Sequence, residues 1–512
     1  MRCRSVSLSC KGKINHLIRL PIIGSGPVGA AFARRIADRR AARILVVEAG
    51  EALTPATGVN IRNLAPAQRE TAYDRARAFP LAALPENLPA DALQARPGTH
   101  LLDPAAPHSG MPAAALSTNL GGMGVHWTCA CPRPGGSEVI PFLDPREMAD
   151  AWESAEHYLQ VTREGFPATA IGRQIVDALN QHFASDRPPA RLAQPMPLAC
   201  AATPEGKPRW SGVDAVLGEL AEEETRRQRG VEIRTATLCT RILSEDGVAR
   251  GAELRDLRTG EQYVVTAKAV VVAADALRTP QLLYASGIRP RALGRWLNDQ
   301  PQVIALIEVD APPAAVAPTS PVRDGRDNVS GVTWLPFHEP DFPFHGQLMQ
   351  MDTSPIAFAQ PSGTPAKPVV GLGLFLAKEL REEDRIVFSD ETDAVGLPKM
   401  QLNYQLTDGD RRRLQQAVAV TERVGAALGR VTPGGEAMIL PAGTSLHYQG
   451  TCRLGEANDG NSVADRRSRV WGFHNLYVGG NGAIPTSTAC NPTLTSVALA
   501  ILAADDIVAR LL

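Results

Sequence analysis

Ile22-Ile23-Gly24-Ser25-Gly26-Pro27-Val28-Gly29 opens a helix-like run from Ala30 to Arg40, after which Ile44-Leu45-Val46-Val47 is closed by Glu48. Strand, glycine-rich turn, helix, strand and terminal acid in that order describe a βαβ unit carrying a dinucleotide-binding fingerprint. Gly24 permits the tight turn, Gly26 lets the backbone approach a pyrophosphate, and Gly29 lets helix and strand pack closely, while the helix N-terminus directs positive dipole at the phosphates. Glu48 stands where a carboxylate accepts from ribose hydroxyls, and glutamate here fits an unphosphorylated adenosine ribose, as in FAD or NAD. The bland alternative is a glycine-rich turn with no ligand. Arg19 and Pro21 fall inside the expected first strand, Leu17 to Ile23, and both are awkward in a central parallel strand.

Outward from this unit, residues 51 to 110 are rich in Ala and Pro with little apolar periodicity, which predicts a long surface insertion. Asn119 to Cys129 follows, with glycines that suggest backbone pressed against a planar ligand. Helical patterns cover Pro145 to Thr162 and Val213 to Arg227. Val231 to Arg234 reads as a strand and Ala269 to Ala274 as a buried parallel one. Gln302 to Val309, Val369 to Phe375, Arg385 to Phe388 and Gln401 to Gln405 read as an antiparallel sheet, followed by a charged helix from Asp408 to Leu428 and an apolar C-terminal helix. The expected fold is therefore α/β: a Rossmann-type nucleotide-binding domain in three pieces (15–135, 229–300 and 438–512) interleaved with an α+β substrate domain (136–228 and 301–437).

Composition narrows the class. Lys plus Arg is 53 and Asp plus Glu 54, a formal net charge of −1, so no positive field for nucleic acid arises from the total. No run approaches the roughly 18 apolar residues of a membrane span. The first 20 residues carry Arg2, Arg4, Lys11, Lys13 and Arg19 but lack the apolar core of a signal peptide. Eight scattered cysteines, with only Cys129 and Cys131 close together, match no common zinc or redox spacing, so no metal is expected. A soluble, cytoplasmic protein with reduced thiols is the expectation, with self-association left open.

Four patches in order along the chain resemble the glucose-methanol-choline (GMC) family of FAD-dependent alcohol oxidoreductases, and within it the pyranose oxidase branch. They are Gly24 to Gly29 with Glu48; Leu120-Gly121-Gly122-Met123-Gly124-Val125-His126-Trp127-Thr128; Ala274 to Ile288, where Asp275 stands in place of the usual glycine; and His447 to Arg453 with Leu476 to Gly482 and Asn491-Pro492-Thr493-Leu494-Thr495. The resemblance implies FAD as cofactor, contacted by Gly121, Gly122, Met123, Thr128, Cys239, Gly480, Asn481, Pro492 and Thr493. It implies His447 and Asn491 as the catalytic pair. Removing a hydroxyl proton while hydride leaves the same carbon calls for a neutral imidazole base, and a carboxamide that holds the same hydroxyl supplies orientation. The alternative makes His447 a turn residue and Asn491 a helix N-cap before Pro492. His126 matches a histidine that related enzymes can bond covalently to the flavin, although Val125 replaces the usual threonine; a packed, non-covalent contact is the other reading.

On the substrate side, Phe344 to Asp352 looks like the strand over the flavin, with Gln347, Gln350 and Asp352 as hydroxyl partners. Polar alternation along a half-exposed strand needs no ligand, however. With aromatics at only 5%, Trp127, Trp334 and Phe344 are the candidate stacking platforms. The implied reaction is oxidation of a secondary alcohol of a sugar or glycoside, with O2 or a quinone-type acceptor reoxidising the flavin. A non-sugar alcohol donor, or a flavoprotein without oxidase activity, are the alternatives.

Overall fold

The computed structural model describes residues 20–78, 100–102, 110–204, 208–310, 329–351 and 367–512. Its organising element is a five-stranded parallel sheet in the order Leu476–Val478, Val270–Val272, Leu20–Ile23, Ile44–Val47, Val231–Arg234. Strands buried on both faces need continuous apolar sequence, and Ile44–Val47 and Val270–Val272 supply it. Pro21 is accommodated because pairing with Val270–Val272 starts only at Ile22, opposite Val271, so the missing N–H falls ahead of that ladder.

The helix Pro27–Arg39 leaves the first strand through Gly26 as N-cap, with Pro27 at the first helical position, where its absent N–H costs nothing. It packs against the C-terminal helix Thr493–Leu511, an apolar element with twelve buried residues. The Arg35 guanidinium grips both Asp505 oxygens at 2.8 and 2.7 Å across that contact.

A second sheet, mostly antiparallel, runs Gly429–Val431, Gln302–Val309, Val369–Leu376, Phe344–Met351, Val329–Leu335, Gln194–Pro195. Helices Ala170–Phe183 and Asp408–Leu428 cover one face, burying Ile175, Leu179, Leu348, Leu374, Leu414 and Val424 together. Thr407 and Asp410 form a reciprocal capping box at the start of the second helix, worth about 1 kcal/mol. Arg385–Thr392 and Pro398–Asn403, expected within this sheet, instead form a separate two-stranded ribbon. Val213 to Arg227 is broken after Leu217, where Gly218 turns to φ +58°, and resumes as Glu223–Gln228. Of the expected surface insertion, a 3-10 turn at Ile61–Asn63 and the helix Pro66–Ala78 lie within the described residues.

Candidate active site

A cavity runs from the first βα turn, past the second glycine patch, to His447 and Asn491. Gly24, Gly26, Glu48, Gly122, Met123, His126, Thr128, Cys239, Gly480, Asn481, Thr493, His447 and Asn491 all line it. Sequence positions more than 400 apart thus meet on one surface. Gly29 and Gly121 lie behind the wall: an added Cβ would come within 2.0 Å of Gly24 O at the first and 2.5 Å of Val125 Cγ1 at the second.

At the end nearest the first turn, Glu48 is buried, accepting from Ser25 Oγ at 2.6 Å and from Gly50 N at 2.8 Å. Burial pushes its carboxyl up, and these bonds partly offset the push. Ser25 Oγ in turn accepts from Gly121 N at 2.8 Å, locking the second glycine patch to the first. Cys239 is buried among apolar wall residues, its thiol pushed up to about 12 by desolvation, which makes it inert. The N-terminus of Thr493–Leu511 opens onto the cavity at Thr493.

At the far end His447 Nδ1 lies 2.7 Å from Gln300 Oε1. Gln300 Nε2 is committed to the Cys490 carbonyl at 2.6 Å, so Oε1 is the atom facing the imidazole and Nδ1 carries the proton. Nε2 is then the basic nitrogen, and it lies 3.3 Å from Asn491 Nδ2. Phe375 stacks on the imidazole at 5.7 Å. Asn491 does not cap the C-terminal helix: Pro492 holds the N-cap position, and the Asn491 side chain meets His447 on one side and Gln347 Nε2 on the other, at 2.8 Å. Glu138 buckles the segment before Asn491, accepting from Ala489 N at 2.8 Å and Cys490 N at 2.9 Å.

The strand Phe344–Met351 divides its side chains by parity. His345 and Gln347 face the catalytic pair, whereas Phe344 and Leu348 enter the helix-covered core. Gln350 shares the second parity and binds Thr169 Oγ1 at 3.2 Å, at the start of Ala170–Phe183, so the structure does not bring it to His447. Asp352 lies outside the described residues. Of the three aromatic candidates, Trp127 lines the cavity, Phe344 packs in the core, and Trp334 is buried with its indole N–H on His345 Nδ1 at 2.9 Å. Gln300, Glu138 and His345 escaped sequence reasoning because nothing in their local pattern marks them; only their partners do.

The GMC oxidoreductase family pattern matches residues 140–302 with its N-terminal part and 383–500 with its C-terminal part. The C-glycoside 3-oxidase of Microbacterium trichothecenolyticum is 43% identical over 502 residues, covering 96% of each chain. The chain belongs to the GMC oxidoreductase family. Pyranose 2-oxidase of Tricholoma matsutake is 30% identical, over 98% of this chain and 96% of its own. The crystal structure of pyridoxine 4-oxidase from Mesorbium loti shares the fold, with a TM-score of 0.64 at 18% identity over 95% of this chain and 98% of that one. As a GMC oxidoreductase, this protein is an FAD-dependent enzyme acting on the CH–OH group of its donor.

Whether this GMC oxidoreductase is built to take FAD is tested by Gly26. Its φ is −60° and the nearest atom to an added Cβ is 3.9 Å away, so nothing within the protein demands glycine there. A side chain at this position would instead occupy the cavity where the helix N-terminus points, and the residues fit a pyrophosphate pressed against bare backbone. Among the described residues no cluster of three or more His, Cys, Asp or Glu is placed to hold a metal ion, and no helix is long and apolar enough to cross a membrane.

Proposed function

We propose that this GMC oxidoreductase oxidises a ring secondary alcohol of a sugar or glycoside. The observation that carries the reading is the juxtaposition of His447 Nε2 and the Asn491 carboxamide, 3.3 Å apart on the wall of the cavity that the glycine-rich turn also lines. Similarity across nearly the full length to C-glycoside 3-oxidases and pyranose 2-oxidases supports the donor class. FAD, when bound, supplies flavin N5 as the hydride acceptor, and O2 or a quinone-type compound restores it.

His447 takes the hydroxyl proton at Nε2, because Gln300 keeps the other ring nitrogen protonated. Asn491 holds the same hydroxyl and fixes the direction in which the C–H points. Gln347 steadies the Asn491 amide, and Phe375 keeps the imidazole in plane while excluding water. Gly24, Gly26, Glu48, Gly122, Met123, Thr128, Cys239, Gly480, Asn481 and Thr493 would form the walls that hold the cofactor.

The hydrogen bonds around His126 favour a cofactor that is not bonded to its Nε2. Asn119 Nδ2 donates to the Leu120 and Gly122 carbonyls at 3.2 and 3.0 Å, so its Oδ1 accepts the single Ser117 hydroxyl proton. Ser117 Oγ then accepts from His126 Nε2, 2.7 Å away, so Nε2 carries the ring proton and is not the nitrogen placed to attack the flavin. Six buried, unpaired thiols among the described residues support a reducing, cytoplasmic setting.

The test is anaerobic flavin reduction across a panel of pyranoses, aryl glycosides, aliphatic alcohols and sterols. Bleaching of the flavin band by sugars or glycosides is expected. Bleaching only by sterols or aliphatic alcohols would move the donor class, and His447→Ala should slow reduction by about 10²–10⁴-fold while the protein stays yellow.

A further inference from the structure

Behind Asn491 lies a file of buried hydrogen-bonding groups that continues past Gln347 to two residues the oxidation scheme does not use, His345 and Trp334. Trp334 Nε1 is 2.9 Å from His345 Nδ1; His345 Nε2 is 2.9 Å from the Gln347 carboxamide nitrogen; that nitrogen is 2.8 Å from Asn491 Oδ1; and Asn491 Nδ2 is 3.3 Å from His447 Nε2. Trp334, His345, Gln347 and Asn491 are all at most 7% exposed, so water does not correct a mismatch.

Written this way the file contains a contradiction. An indole N–H only donates, so His345 Nδ1 accepts. Burial holds His345 neutral, pushing it down to about 3. Its one proton therefore sits on Nε2 and meets a second donor, the Gln347 amide nitrogen. The two ends of a carboxamide are told apart only by their partners. Turning Gln347 over presents its oxygen to His345 Nε2–H; Asn491 must then turn too, donating to that oxygen and presenting its own Oδ1 to His447 Nε2. Gln300 already accepts from Nδ1. Every contact in the file is then satisfied only when His447 carries protons on both nitrogens.

We propose that Trp334 and His345 are positioning residues that set the polarity of the Asn491 amide and so favour the protonated form of His447, the form created when it accepts the substrate hydroxyl proton. In that step the O–H bond breaks, an Nε2–H bond forms, and Asn491 Oδ1 becomes its acceptor. The inference rests on His447 being the base. Other titratable or charged groups around the imidazole are Asp299, which accepts from Ser445 and from Gly443 N beneath the same turn, Tyr404 toward Asp299, Tyr448 beside it in the chain, and Glu138 and Arg191 behind Cys490. Trp334→Phe changes none of these charges and keeps a ring beneath Arg191.

The experiment is the pH profile of anaerobic flavin reduction in the holoenzyme, wild type against Trp334→Phe. The acid limb should move to lower pH by about one unit, a tenfold loss of proton affinity. An unmoved limb in a yellow, folded variant would overturn the relay. His447→Ala is the separate control: a rate and limb like wild type would remove His447 as base, whatever Trp334 does. Nitrogen-15 spectra of imidazole-labelled wild-type holoenzyme need no variant. His345 protonated at Nε2 supports the relay, and His345 protonated at Nδ1 overturns it.

Discussion

Gln300 decides which nitrogen of His447 is basic. Its Oε1 sits 2.7 Å from Nδ1 while its Nε2 is tied to the Cys490 carbonyl, in the segment that delivers Asn491. One glutamine thus fixes both the tautomer of the base and the position of its partner. Gln300→Leu removes the acceptor and frees the ring to take the other tautomer. Flavin reduction should fall about 10²-fold with donor KM changed far less, measured by rapid mixing under argon.

Gly26 and Gly24 separate cofactor binding from folding. At Gly26 an added methyl meets nothing closer than 3.9 Å, so Gly26→Ala should leave the melting temperature of the apoprotein unchanged and weaken FAD binding about tenfold or more. At Gly24 the methyl would lie 2.2 Å from Ala273 O with φ at +106°, so Gly24→Ala should lower apoprotein stability, by roughly 1–3 kcal/mol from the backbone alone. Calorimetry and fluorescence titration with FAD read the two effects independently.

Ser117 and His126 make a prediction that a single precipitation decides. With His126 Nε2 donating to Ser117, acid denaturation should leave the flavin in the supernatant. Yellow colour retained in the washed pellet would show that His126 bonds the cofactor, through Nδ1 or after the ring turns.

Asp275 gives stability a pH dependence of definite sign. Its carboxyl, set on the cavity wall among apolar neighbours, is raised to about 6 by desolvation, against about 3.9 in an unfolded chain, so the folded state binds the proton more tightly. The residue is itself more than a third exposed, and solvent screening leaves only part of that shift as stability. The stabilisation is complete below about pH 4 and is lost as pH rises through about 6. Asp275→Asn keeps an acceptor for Leu277 N and Arg278 N and tolerates the φ of +70°. The variant should melt roughly 1–3 °C above wild type at pH 8, the difference closing by pH 4.

Much of the architecture was legible because it is written in local pattern. Three glycines at the spacing of a phosphate-binding turn, the run Ile44–Val47 and the helix Asp408–Leu428 each encode a backbone conformation through neighbours a few residues away. The ribbon Arg385–Thr392 with Pro398–Asn403 did not follow, since a strand's alternation states that it pairs but not with which partner. Gln350 shows the same limit at the site: its type suggested a hydroxyl partner, and its parity along Phe344–Met351 turned it to Thr169.

The sequence by itself determined that a nucleotide-binding βαβ unit exists, and it brought forward His447 and Asn491 as a pair worth testing. Tertiary structure alone decided how that pair is wired. Gln300 reaches His447 across 147 residues and Glu138 reaches Cys490 across 352, so neither leaves a periodic or spaced mark in the chain. Hydrogen-bond direction is set by the last donor or acceptor that cannot be reversed, an indole N–H at Trp334 and a backbone carbonyl at Cys490, and those ends meet only after two sheets and their helices have packed.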